Sequence, residues 1–250
     1  MKFKRQFMIF RTGNSNTYSG YGVLILIFIC TSFCSCQEFM ESNNVSKKEV
    51  IADNCHISPN SNSLDNSLGL VTFLDELKQI VHTNDFNRLC ELLDSKVTVS
   101  YGEALYGKNE FIKYWKDGDN QEQLWNTLNR ILALGGDLSE YESEEAYILP
   151  YTQTDRFYDG ITVDWFSLAT VVSSQAYLYD ETLQRTVDTL NYDIVEIVDQ
   201  SNPKFTRIKT VCNDKNGWIL NEDIYVCTDY SLVLARDKNE EWRIKVFSTG

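Results

Sequence analysis

The sequence predicts an α+β protein: a helical, cone-like α+β domain, then a small β-barrel inserted before a C-terminal hairpin that returns to the first domain. Three observations carry this reading. Apolar residues recur at helical spacing between residues 67 and 134, with one alternating segment among them. From residue 158 the texture changes to short β-rich runs parted by Asp, Asn, Ser and Gly. The last stretch, 228–250, holds two β-rich runs around a polar turn. Two consecutive domains are the rival arrangement.

The boundaries read as a signal peptide over 1–35, a flexible tether over 36–66, the α+β domain over 67–157, the barrel over 158–227 and the hairpin over 228–250. Residues 2–11 are basic and residues 21–33 (YGVLILIFICTSF) apolar, the two halves of an export signal. A helix of about 13 residues is roughly 20 Å long, short of the ~30 Å hydrocarbon core of a bilayer. A permanent span is therefore the weaker reading. Phe33-Cys34-Ser35-Cys36-Gln37 resembles a bacterial lipobox, in which a small residue precedes the Cys that is lipidated and becomes the new N-terminus. That resemblance implies a membrane anchor on Cys36 and a place in the cell envelope, as an outer-membrane or periplasm-facing lipoprotein. A plain secretory signal is the alternative. The following residues, rich in Asn and Ser and poor in apolar periodicity, suit a tether.

The formal net charge is −13, and residues 1–35 carry four cations and no acid, so the exported part stands near −17. Such a surface repels phosphate backbones, which argues against nucleic acid as a partner. It also makes a covalent anchor the natural route to an anionic membrane.

Leu70, Phe73, Leu74, Leu77, Ile80 and Val81 share one helix face, and Asn84-Asp85 supplies the break before a second helix with Phe86, Leu89, Leu92 and Leu93. Residues 96–101 alternate as a strand. Residues 107–115 and 121–134 read as two more helices, the latter with a stripe of Trp125, Leu128, Ile131 and Leu132 stopped by Gly135-Gly136. Strands are expected over 163–172, 175–179, 186–190, 194–198, 205–212 and 217–219, and a hairpin turning at 237–241.

The helix–helix–strand–helix order resembles cone-shaped domains of the nuclear-transport-factor-two or SnoaL type. It resembles more closely an N-terminal segment of bacterial proteins with an SH3-like module, through Asp85, Leu89, Leu93, Gly107, Phe111, Trp115, Leu124-Trp125, Leu128, Ile131, Leu134-Gly135-Gly136 and Pro150-Tyr151. Downstream, residues 171–179 and 187–197 (VDTLNYDIVEI) resemble the core strands of a bacterial SH3-like domain. Thr206-Arg207-Ile208-Lys209 followed by Asn216-Gly217-Trp218-Ile219 resembles its Gly-Trp strand, with Phe205 near the family's tryptophan and Asp193 where a glycine is usual. The resemblance implies a peptide-gripping module, and SH3-like folds use aromatics for that. Tyr158, Trp165, Tyr177, Tyr179 and Tyr192 are the candidate ligand-binding aromatics, while Trp218 and Trp242 read as core.

Little chemistry is written elsewhere. His56 lies in the tether and His82 at the end of the first helix, where a cation suits the dipole. Cys55, Cys90, Cys212 and Cys227 lack metal-ligand spacing; Cys212–Cys227 is the pair proposed for a disulfide, with unbonded buried thiols the alternative. No His follows Cys90, which disfavours a thiol hydrolase. Glu140, Glu142, Glu144 and Glu145 read as a solvated loop without EF-hand spacing. The expectation is a lipid-anchored binding protein rather than an enzyme, without cofactor or metal, whose partner is a peptidoglycan stem peptide or an envelope protein. A small-ligand binder or enzyme using a pocket in the α+β domain is the alternative. Intact-mass and membrane-partition measurements are expected to find a lipid-sized mass gain on the exported protein and its loss in Cys36→Ala.

Overall fold

A computed structural model describes residues 55–59, 69–100, 102, 105–118, 120–154 and 161–249, all within one unit spanning 44–250. The signal segment, Cys36, most of the tether and Tyr158 lie outside the described residues. No helix among the described residues is long and apolar enough to cross a membrane.

Helix α1 (Leu70–Thr83) buries Leu70, Phe73, Leu74, Leu77, Ile80 and Val81, one stripe at spacings of three and four. Asn84, at φ 53°, closes it in the left-handed conformation that Asn tolerates. Asp85 caps α2 (Phe86–Leu92) by accepting the Arg88 N–H at 3.1 Å. The chain runs directly into β1 (Leu93–Ser100), on which β2 (Leu105–Tyr106) folds back. Helix α3 (Lys108–Ile112) continues into a π-helical turn, Lys113–Asp117, before α4 (Gln121–Leu134).

The acidic run is a hairpin instead of a loop: β3 (Asp137–Tyr141) and β4 (Glu144–Leu149) turn at Glu142 and Ser143, with φ 53° and 72°. The residues after the acids explain it. Tyr147 and Leu149 join the core beneath the helices, and Ala146 and Ile148 are buried on the opposite face. That two-sided burial holds the strand, while Glu144 and Glu145 stay in solvent at its outer end.

Seven short strands follow: β5 (Leu168–Val171), β6 (Ala176–Tyr179), β7 (Thr186–Leu190), β8 (Ile194–Asp199), β9 (Phe205–Thr210), β10 (Asn216–Leu220) and β11 (Ile224–Val226). They form one antiparallel sheet in the order β11-β5-β8-β9-β10-β6-β7. No closed barrel is detected among the described residues. One buried cluster nevertheless takes Ile224 from one edge strand and Leu190 from the other, together with Val171, Leu178, Val195, Ile208 and Ile219. The sheet is therefore strongly curled around its own apolar face without hydrogen bonds between its edges.

The chain ends in β12 (Tyr230–Arg236) and β13 (Trp242–Thr249), which pair with β4 and β1 to give the order β2-β1-β13-β12-β4-β3. The β1–β13 pair is parallel and the others antiparallel. The hairpin thus lies in the middle of the six-stranded sheet, and the seven-stranded sheet is spelled by the sequence between β4 and β12. Asp237 shapes the hairpin turn, its carboxylate accepting the Asn239 and Glu241 N–H groups at 2.7 and 3.1 Å.

Asp94 and Lys245 tie β1 to β13 at 2.6 Å. Burial disfavours the Asp94 charge, but hydrogen bonds from the Lys245 ammonium and the Lys96 N–H outweigh it and hold the carboxyl below its usual range. A carboxyl lowered in the folded state stabilises above the ordinary Asp value, and the contribution disappears as pH falls through the lowered one. Asp94→Asn is expected to cost about 1–2 kcal/mol near neutral pH. Urea unfolding at neutral and acidic pH checks this, and the gap to wild type closes in acid.

Candidate functional site

Alternation along β6, β9 and β10 separates two faces. Ala176, Leu178, Thr206, Ile208, Gly217 and Ile219 are buried, so Tyr177, Tyr179, Phe205, Arg207 and Trp218 project from the outer face. Register places Trp218 opposite Tyr179 on one side and opposite Arg207 on the other, which makes one row across three strands. Gly217 permits the close crossing. A Cβ there would meet the Tyr179 carbonyl oxygen at 2.6 Å and the Leu178 Cγ at 2.7 Å.

The row is laced together. The Tyr179 and Phe205 rings meet edge to face at 5.6 Å, and the Lys204 ammonium lies 5.7 Å from the Phe205 centroid. Glu181, on the turn after β6, accepts from the Arg207 guanidinium at 2.6 Å and from the Trp218 indole N–H at 3.3 Å. The turn itself is organised by Asp180, whose carboxylate accepts from the Thr182 hydroxyl and from the Thr182 and Gln184 N–H groups; led by the hydroxyl bond, these lower its pKa. Tyr177 is 44% exposed, with its hydroxyl accepting from Gln175 at 3.3 Å. Around the face the charges pair off, Lys209 with Asp214 at 2.9 Å and Lys215 with Asp188 at 2.6 Å. This arrangement sets flat aromatic surfaces beside fixed polar groups.

The aromatics singled out from the sequence divide. Tyr177 and Tyr179 lie on the outer face, whereas Trp165 packs with Tyr151, Leu168 and Ile194 at the junction with the six-stranded part. Tyr192, half-buried at φ 55°, turns the chain into β8, and its carbonyl accepts the Ile57 N–H at 2.8 Å. Tyr158 lies outside the described residues. Sequence reading missed Phe205, Arg207 and Glu181, and took Trp218 for core. Trp242 is buried, but Trp218 is half-exposed. Its neighbours Gly217 and Ile219 point inward, and period-two alternation applied to 216–220 would have turned Trp218 out.

The disulfide also differs from expectation. Cys212 bonds to Cys55, across 157 residues, and not to Cys227. The cause is an antiparallel bridge between His56 and Asp193, in which the Ile57 N–H reaches the Tyr192 carbonyl and the Ile194 N–H the Cys55 carbonyl, at 2.8 and 3.0 Å. It leaves Cys55 and Cys212 with Cα atoms 6.1 Å apart, within disulfide reach. Cys227 is buried in the junction cluster. Residues 55–57, read as tether, are thus docked on the sheet.

Beneath the helices the core is filled with rings: Phe111, Trp115, Tyr230 and Phe247 stand with centroids 5.1 to 6.3 Å apart. A depression of ≈ 540 Å³ beside the hairpin turn is lined by charged side chains, among them Glu144, Arg236, Glu240 and Lys245. No group of three His, Cys, Asp or Glu that could hold a metal ion is found among the described residues. Comparisons with protein-family models, curated proteins and solved structures return no match for this chain.

Proposed function

We propose that this chain is a lipid-anchored cell-envelope protein whose seven-stranded sheet, an SH3-like module, binds a peptide, either a peptidoglycan stem peptide or an extended segment of an envelope protein. The observation that carries the reading is the Tyr179–Trp218–Arg207 row with Phe205 beside it on the outer face of β6, β9 and β10. Aromatic and Arg side chains are the types that dominate binding energy at peptide interfaces. Trp218, from the Gly217-Trp218 pair that is the most specific piece of the sequence resemblance, stands in this row, and Gly217 lies on the buried face beside it. Export rests on residues 1–36 and supplies the location, and the acidic surface turns the protein away from nucleic acid. A small-ligand pocket in the α+β part draws less support, because rings fill the space beneath the helices.

Calorimetric titration of the exported chain with soluble stem peptides, and with extended peptides from envelope proteins recovered with it, tests the reading. Tyr179→Ala with Trp218→Ala is expected to weaken binding by about 30-fold or more, the loss of at least one hot-spot side chain. Equal binding by wild type and the double variant, or none by either, would remove the support for this face.

A further inference from the structure

Residues 55–57 behave as a captured peptide. They add to the seven-stranded sheet where the chain enters β8, through one antiparallel bridge and two backbone hydrogen bonds, and they bury Cys55 and Ile57 while His56 stays exposed. Ile57 packs with Tyr151, Leu168 and Ile194. The His56 ring donates from Nδ1 to the Asn191 carbonyl at 2.9 Å and lies 3.8 Å from Asp193. A single bridge with two hydrogen bonds is a small set of contacts against the ordering of a segment. What makes the docking permanent is covalent, the Cys55–Cys212 bond. Cys212 is half-buried in the turn after β9, whereas Cys55 is buried.

We infer that the Cys55–Cys212 disulfide is a redox latch that holds residues 55–57 on the sheet and keeps the Ile57 site against Tyr151, Leu168 and Ile194 covered. The latch opens by exchange. A dithiol reductant attacks one sulfur through its thiolate and forms a mixed disulfide. Its second thiol then displaces the remaining cysteine. The bond takes two electrons and two protons, leaving two cysteine thiols, and the dithiol becomes a disulfide. On opening, the Tyr192 carbonyl and the Ile194 N–H lose their strand partner, and the Ile57 site against Tyr151, Leu168 and Ile194 is uncovered.

Amide hydrogen exchange on the full exported protein, before and after treatment with a dithiol, reads the latch without reference to lipid or ligand. Exchange at Ile57 and Ile194 is expected to rise about tenfold or more on reduction while Ile208 and Ile219 inside the sheet keep their protection. Cys55→Ser should reproduce the reduced pattern, and Cys212→Ser serves the same purpose if the first variant folds poorly. Unchanged exchange at Ile57 and Ile194 would overturn the latch, since packing alone would then hold the segment. An equal rise at Ile208 and Ile219 would also overturn it, by making the bond a staple of the whole sheet. Failure here leaves the aromatic face untouched, because that face is read by peptide titration.

Discussion

The structure hangs on where the last strands go. The β12–β13 hairpin does not append to an edge; it fills the centre of the six-stranded sheet, with β4 on one side and β1 on the other. Leu232, Leu234, Ile244 and Phe247 supply the floor on which the helices pack, and Trp242 closes the cluster that includes Leu70 and Phe73. Without them β1 and β3–β4 would be two separate pieces, each with an open edge and too little apolar surface to bury. Everything between β4 and β12 must therefore leave the first sheet and come back to it. The seven-stranded sheet is built on that excursion.

The excursion is anchored at both ends. Tyr151, Leu168, Ile194 and Cys227 share one cluster with Leu134 of α4 packed against it. Arg130 of α4 donates to the Asn221 and Ile224 carbonyls and lies over the Tyr225 ring, whose hydroxyl donates in turn to the Tyr230 carbonyl. Burial raises the pKa of Asp229 at this junction, despite the Val226 N–H bonded to it and the nearby Arg130. The Cys55–Cys212 bond ties residues 55–57 to the same sheet from the N-terminal side. The outer aromatic face is thus carried by a sheet tied to the first part of the chain at both ends of the excursion.

Much of this fold was legible because periodicity and caps agreed. In α4 the stripe of Trp125, Leu128, Ile131 and Leu132 and the Gly135 stop pointed to one helix over Gln121–Leu134, and Leu124 joins its buried face in place of the half-buried Leu132. The hairpin turn at Asp237 was legible for the same reason. Three features were not. Acids at Glu140 and Glu144 hid a hairpin whose burial comes only from residues further along. The three residues of β11 carry no periodicity. The π-helical turn Lys113–Asp117 spells nothing that an α-helix would not. At the candidate site, aromatic residue type alone pointed to Tyr177 and Tyr179. Separating them from Trp165 and Tyr192 needed the strand order, since alternation says which residues share a face but not which faces adjoin. Cys55 gave no local sign of Cys212, because their meeting is a product of tertiary pairing across 157 residues.

The most direct measurement is far-ultraviolet circular dichroism of a chain ending at Cys227, compared with the full chain under the same conditions. Removing β12 and β13 is expected to abolish most of the helical signal, because α1 to α4 would lose the sheet they cover. Retention of the full helical signal with cooperative thermal unfolding would contradict the central role of the hairpin, and would mean that the first helices and strands form a domain of their own.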